Sequence, residues 1–367
     1  LCSNHPYTQL ENGYFSPMPE YTRQYFEQQA EMINQRTSWF MRKEQSAALE
    51  SARASLAGFL NTDAEQVAIT RNTTESLNTV IQGFHWQKGD EAVIGNQDYG
   101  SMVASFRQIE KRYGVVIRVA EVPLHPENDE QVAEAYLRHV NNKTRMLHLT
   151  HLINLSGQII PVKKIAEKAR AKGITVVVDS AHALAHLNFN INELGADFVG
   201  ASLHKWLSAP LGLGLLWARK SRIKDIWPLM ADEEYPEDNI RKFEHLGTRP
   251  LQAHMGIDRA IVYHKHIGGE LKEARLRYLK DSWHEPLQEV EGLIHFTPGG
   301  ERSCALACVA LKGRTPNELA ELLFSRYQIF SVAINHPVIK GVRITPHLFN
   351  SHRDVLGLKD ALLELAG

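Results

Sequence analysis

Several side chains that could do chemistry stand where apolar segments end. In the stretch DFVGASLHKWLSAP, Asp197 to Pro210, the run FVGAS delivers Ser202, His204 and Lys205 directly before Trp206. A lysine there is either an ordinary surface charge or a buried amine. Removed from water, an amine gives up its proton and becomes a nucleophile and a base. Asp179 closes the run VVVD, and a carboxylate at the end of three valines is costly to desolvate without a cation. It could cap the next segment or pair with a protonated ring nitrogen on a ligand, with His182 one turn later. Thr73 and Thr74, after Asn72, open a helical pattern, where hydroxyls and free N–H groups could hold an anion or simply cap the helix. Tyr99 could be a packing aromatic or a face for a planar ring. His151 and Asn154 follow the run MLHLTHL.

These residues converge only if the right elements carry them. From about Tyr21 to Leu60 the pattern is helical. QVAIT, EAVIG, VVIRVAEV, TRMLHLTHL, ITVVVDS, ADFVGAS and LGLLWA then read as strands, most of them separated by helical patterns. VKKIAEKARAKG is a helix for which Gly173 is the expected C-cap. Such alternation predicts an α/β fold, with a mainly parallel seven-stranded sheet flanked by helices on both faces. In an open parallel sheet, ligands bind outside the carboxyl ends of the strands, which is where five strands here carry their polar residues. After about Thr248 one long helical pattern runs from PLQAHM to QEV, followed by shorter strands and helices including GVRITPH. The expected organisation is a large α/β domain over 15–247 and a small α+β domain formed by 1–14 and 248–367.

Composition narrows the partners. The chain has 367 residues and a formal net charge of −1, which argues against a general polyanion binder such as a nucleic-acid protein. No apolar run approaches the roughly 20 residues of a membrane helix. The three cysteines are Cys2, Cys304 and Cys308, too few for a disulfide framework, and the last two sit in the apolar SCALACVAL. No histidine, cysteine or acidic set has metal-ligand spacing, so no metal is expected. Gly212 and Gly214 of GLGL lack the third glycine and the following helix of a dinucleotide fingerprint. The first residue is Leu1 rather than Met. The expectation is a cytoplasmic protein, with export to the periplasm left open by a removed or omitted leader.

The ordered set RNTTES, QDYGS, THLINLSG, VVVDSAH, SLHKW, GTRP and VRITPH resembles the class V aminotransferase family of fold-type-I pyridoxal-phosphate (PLP) enzymes. SLHKW and GTRP place it nearer the isopenicillin N epimerase-like branch than the cysteine desulfurases. The resemblance implies that Lys205 carries the cofactor covalently and shuttles protons at the substrate α-carbon. It implies that Asp179 keeps the pyridine nitrogen protonated, that His182 and Asn154 lie near the ring's 3-oxygen, and that Tyr99 stacks on the ring. Asn72, Thr73, Thr74, Ser202 and His204 would hold the phosphate. Thr248 would reach the phosphate of a neighbouring subunit, so a homodimer with sites at the interface is expected. Arg343 would fork onto the substrate α-carboxylate, with Tyr14 beside it.

Within that resemblance the expected activity is proton chemistry at the α-carbon of an amino acid or peptide-like amine. The alternatives are an aminotransferase or a C–S lyase acting on a modified amino acid. Lys205, Asp179 and Arg343 together weigh against a non-catalytic binding module. A persulfide-forming desulfurase is disfavoured, because YQIFSVAINHPVIKGVR, the segment before the arginine, contains no cysteine. An epimerase also needs a proton donor on the second face, for which Tyr14, His151 and His336 are candidates.

Overall fold

In a computed structural model of the chain, residues 6–367 are described; Cys2 lies outside them. Seven strands form the main sheet: β1 (Val67–Thr70), β2 (Glu91–Gly95), β3 (Val116–Ala120), β4 (Thr144–Thr150), β5 (Thr175–Asp179), β6 (Phe198–Ser202) and β7 (Gly214–Ala218). Their order is β1-β7-β6-β5-β4-β2-β3. Every neighbour pair is parallel except the two made by β7, which runs against both β1 and β6. The expected α/β architecture is therefore present. β5, β6 and β7 are buried throughout, which explains why they read as unbroken apolar runs rather than alternating ones. Apolar clusters pack on the two faces of this sheet, one around Leu149, Val176 and Leu215 and one around Ala92, Met146 and Leu216.

The long helical patterns are subdivided. Residues 20–60 form three helices, Glu20–Gln35, Thr37–Lys43 and Gln45–Leu60. The pattern after Thr248 breaks at Gly268 into Leu251–Ile267 and Gly269–His284. The helix expected to run to Gly173 is Val162–Arg170, and Gly173 follows it with φ of 74°. In each case apolar spacing continues across a break that the backbone makes for packing.

A second sheet contains β8 (Leu293–His295), β9 (Ala307–Leu311), β10 (Val332–Asn335) and β11 (Lys340–Ile344), in the antiparallel order β10-β11-β9-β8. It has its own apolar cluster, including Trp283, Val309, Leu323 and Leu358. The N-terminal segment belongs to this region. Thr8–Gln9 pairs in parallel with Ile329–Phe330, and Glu11 bridges to Thr345 just beyond β11. No helix among the described residues is long and apolar enough to cross a membrane.

Candidate active site

At the carboxyl ends of β1, β5 and β6 the sheet opens into a cavity of about 320 Å³. Its wall includes Asn72, Thr73, Thr74, Asp179, Ser202 and Lys205. The same cavity is also lined by Tyr14, Tyr99, Asn154, His182 and His204. Eleven residues expected from sequence are thus brought together.

One end of the cavity is the N-terminus of the helix Thr73–Gly83. Asn72 caps it, its Oδ1 accepting from the Glu75 amide at 2.9 Å. The Thr73 amide donates to Ser202 Oγ at 3.0 Å, and the two hydroxyls meet at 2.7 Å. This ties the helix start to the end of β6. Two hydroxyls beside a helix N-terminus, with its partial positive charge, make a site for an anion. The return into β7 must pass close by. Gly212 adopts φ of 80°, and a Cβ on Gly214 would stand 2.6 Å from the Asn72 Cα, so only glycine lets β7 start there.

Asp179, at the end of β5, is buried and accepts from the Ala181 amide at 2.9 Å. Burial raises its pKa, with the neighbouring His148 pulling the other way. Lys205 lies opposite. Desolvation lowers its pKa to about 8, although Asp179 acts to raise it. Its Nζ is 3.0 Å from His182 Nε2. On the other side of that ring, the Trp206 indole N–H points at His182 Nδ1 from 3.4 Å. An indole N–H only donates, so Nδ1 is the acceptor and Nε2 carries the proton. Nε2–H then donates to Lys205, and an amine can accept only when it is neutral. Burial first, and then the charge Lys205 carries when protonated, hold the imidazole well below its usual range, so His182 is neutral. Lowering the lysine from 10.5 to about 8 raises its neutral fraction at pH 7 by roughly two to three orders of magnitude.

The remaining expected residues are distributed differently. Asn154 is buried, and its Oδ1 has no hydrogen-bond partner. Together with Tyr14 and Tyr99 it also borders a second, more open cavity of about 610 Å³ lined by Ala333, His336 and Val338. His151 does not line either cavity; its ring stands edge-on to Phe189, and desolvation lowers its pKa to about 4. Thr248 lines a separate cavity with Arg241 and Glu244, so within one chain it is not part of the Lys205 site. Arg343 is fully buried and lines neither the Lys205 cavity nor the second one. Its Nη2 and Nε donate to Glu11 at 2.7 and 3.3 Å, and its Nη1 donates to the Asn154 carbonyl at 3.0 Å. Glu11 was not among the expected site residues. It lies in the loop-like ENGYFSPMP, 332 positions from its partner, and no local pattern marks it.

A family model for "Aminotransferase class-V" matches residues 18–333. The chain belongs to the aminotransferase class-V family. It is a PLP-dependent enzyme with the fold-type-I architecture. The isopenicillin N epimerase of Streptomyces clavuligerus is 28% identical over 89% of this chain and 87% of its own length. A probable cysteine desulfurase of Methanothermobacter thermautotrophicus is 26% identical over 87% of this chain and 84% of its own. A solved structure of a C-DES mutant, with glycine covalently linked to its PLP cofactor, superposes with a TM-score of 0.87 at 18% identity, covering 98% of this chain and 97% of that one. The donor set fits PLP. It combines an anion seat at a helix N-terminus, a buried carboxylate without an ion-pair partner among the described residues, an orphaned amide oxygen and an amine of depressed pKa.

Proposed function

We propose that this enzyme moves a proton at the carbon bearing the amine of an amino acid or peptide-like substrate, in the manner of an epimerase. The observation that carries this reading is the Lys205–His182 contact of 3.0 Å, which sets a buried amine of depressed pKa beside a neutral imidazole at the cavity wall.

In this reading Thr73, Thr74, Ser202 and His204, with Asn72 capping the helix, seat the cofactor phosphate. Asp179 would hold the pyridine nitrogen protonated, and Asn154 and His182 would lie near the 3-oxygen. Tyr99 lies against the ring, and Lys205 is the point of covalent attachment. Bound there, PLP supplies an electron sink for the carbon that loses its proton. Lys205 takes and returns that proton on one face, and its depressed pKa matches that task near neutral pH. His182 Nε2–H holds the amine in place and steadies its lone pair. For the second proton donor, Tyr14, whose ring lies 5.7 Å from Lys205 Nζ, and His336, which shares the second cavity with it, remain the candidates. His151 is buried against Phe189 away from both cavities, which weighs against that role.

Sulfur transfer through a persulfide has no support from the cysteines among the described residues. Cys304 and Cys308 are fully buried, and desolvation pushes both thiols up to about 12. The thiolate is the nucleophile, and neither cysteine can form it. We also infer a homodimer, because Thr248 lines a cavity apart from the Lys205 site and the chain exposes the large apolar side chains of Trp227, Leu229 and Met230. Sedimentation reading a single-chain mass at micromolar concentration would refute that.

The function is tested with the holoenzyme in deuterated water. Deuterium entering the α-position with loss of stereochemical purity supports the proposal. A keto-acid product with pyridoxamine accumulation, or fragmentation at the β-carbon, would assign transamination or elimination instead. Borohydride reduction is expected to fix a cofactor mass on Lys205.

A further inference from the structure

A buried charge–charge contact near the active site is one the chain makes with itself. Arg343 presents three nitrogens to partners, and all three partners belong to the protein: Glu11 takes Nη2 and Nε, and the Asn154 carbonyl takes Nη1. The Glu11 carboxylate is itself fixed from both sides. Its Oε1 also accepts from the Tyr14 amide at 3.1 Å, and its Oε2 also accepts from Thr345 Oγ1 at 3.4 Å. The surrounding backbone is stitched to the end of β11. The Thr345 amide donates to Leu10 at 2.7 Å, and the Asn12 and Gly13 amides donate to Thr345 Oγ1 at 2.7 and 3.0 Å. Glu11 is therefore held in place behind Tyr14 by side-chain and backbone contacts on both of its oxygens.

The cavity side of the guanidinium is closed as well. The Tyr14 ring lies 4.2 Å from Arg343 Cζ, with Lys205 Nζ 5.7 Å from the same ring. An incoming carboxylate would have to displace both the aromatic ring and the resident carboxylate. It would also bring a second negative charge to one buried guanidinium, where two carboxylates repel and neither is well compensated. An amine whose α-carbon bears a hydrogen, an alkyl group or a neutral amide meets no such conflict. Its substituent can extend past Tyr14 and Asn154 into the second cavity of about 610 Å³.

We infer that Glu11 is a specificity-determining residue: it fills the carboxylate position at Arg343, and the substrate is an amine without an ionised carboxylate on its α-carbon. This rests on the function proposed above and narrows it from amino acids in general to amines and amide-capped, peptide-like amines. Free amino acids are selected against by a carboxylate the chain supplies itself.

The holoenzyme is titrated with L-phenylalanine, L-phenylalaninamide and phenethylamine. Dissociation constants are read from the change in cofactor absorbance and, independently, from calorimetric heat. The expected result is that the amide and the amine bind at least tenfold more tightly than the free acid. Glu11→Gln keeps the shape and removes the charge, so it should improve the free acid at least tenfold relative to the amide. If Glu11→Gln does not fold, Glu11→Asp, which draws the carboxylate back from Arg343, should shift the ratio in the same direction by a smaller factor. The comparison in the unaltered enzyme needs no variant at all. A free acid that binds as tightly as its amide, or a ratio that Glu11→Gln leaves unchanged, overturns the inference. A protein that acquires no cofactor mass on Lys205 after borohydride overturns the proposed function, and this inference with it. A loaded protein that prefers the free acid overturns this inference alone.

Discussion

Two walls face each other across Lys205, and they are finished to different degrees. The wall at the ends of β1, β4, β5 and β6 holds groups without a charged partner: an orphaned Asn154 Oδ1, a raised Asp179 and a lysine shifted to about 8. The corner at the end of β11 holds a full charge that is already satisfied. Burial alone would depress Arg343, yet Glu11 and Tyr14 outweigh it and hold the guanidinium charged. The first wall gains from a ligand; the second loses if one intrudes. Polar groups cost free energy when buried without partners, so a wall left unpaired marks where a ligand supplies the missing contacts.

That contrast separates what substitutions should cost. At the corner, Glu11→Leu strips the partner from a fully buried guanidinium, and breaking a buried pair one-sidedly costs about 3–5 kcal/mol. Urea unfolding of the apoprotein should show that loss. The double substitution Glu11→Leu with Arg343→Met should recover most of it, because the uncompensated charge goes too. Equal instability of the single and double variants would mean that the corner is held by packing rather than charge.

At the opposite wall the expectation reverses. Asp179→Asn keeps the volume and removes the charge from a site where burial already disfavours it. Apoprotein stability should hold or rise. Turnover should fall by about 10²- to 10³-fold, the range for loss of one preorganised electrostatic partner. A large drop in thermal midpoint with turnover intact would reverse the assignment of the two walls.

A smaller effect comes from pH. Attachment of the cofactor needs the neutral amine, and desolvation depresses Lys205 from 10.5 to about 8. In the apoprotein the attachment rate should climb about tenfold per pH unit below 8 and level off above it. The sign follows from the shift: a depressed base is the reactive form above its pKa and is lost below it. His182→Phe removes the Nε2–H that requires a neutral acceptor, and the plateau should then move toward higher pH. A profile still rising at pH 10 in the unaltered protein would place Lys205 in ordinary solvent.

The two walls also differ in how far the sequence disclosed them. The sheet was legible because seven apolar runs were punctuated by helices, and the ligand side followed from the rule for strand carboxyl ends. Asp179 therefore came out at the end of β5, and Ser202 and Lys205 at and just beyond the end of β6. The corner is assembled from the two ends of the chain, and hydrophobic periodicity carries no information about which charge meets which. Arg343 was visible through family resemblance, but its occupation by Glu11 was not. The breaks within 20–60 and at Gly268 were missed for a related reason, since helical spacing persists across a packing-driven turn.

The smallest effect tests the corner from behind. Cys308 on β9 is the cross-strand partner of Arg343 on β11, close enough to the active site to suggest sulfur chemistry. Its environment argues otherwise. The side chain is fully buried, its Sγ would lie 3.1 Å from a Cβ on Gly341, and desolvation pushes the thiol up to about 12 even though Arg343 pulls it down. It therefore acts as a small apolar side chain. Cys308→Ala should leave turnover unchanged and cost about 1–2 kcal/mol through the small void it opens, read as a modest lowering of the urea midpoint. Loss of turnover with stability preserved would mean that a thiol beside Arg343 takes part in the reaction, and the separation of a reactive wall from a closed corner would fail there.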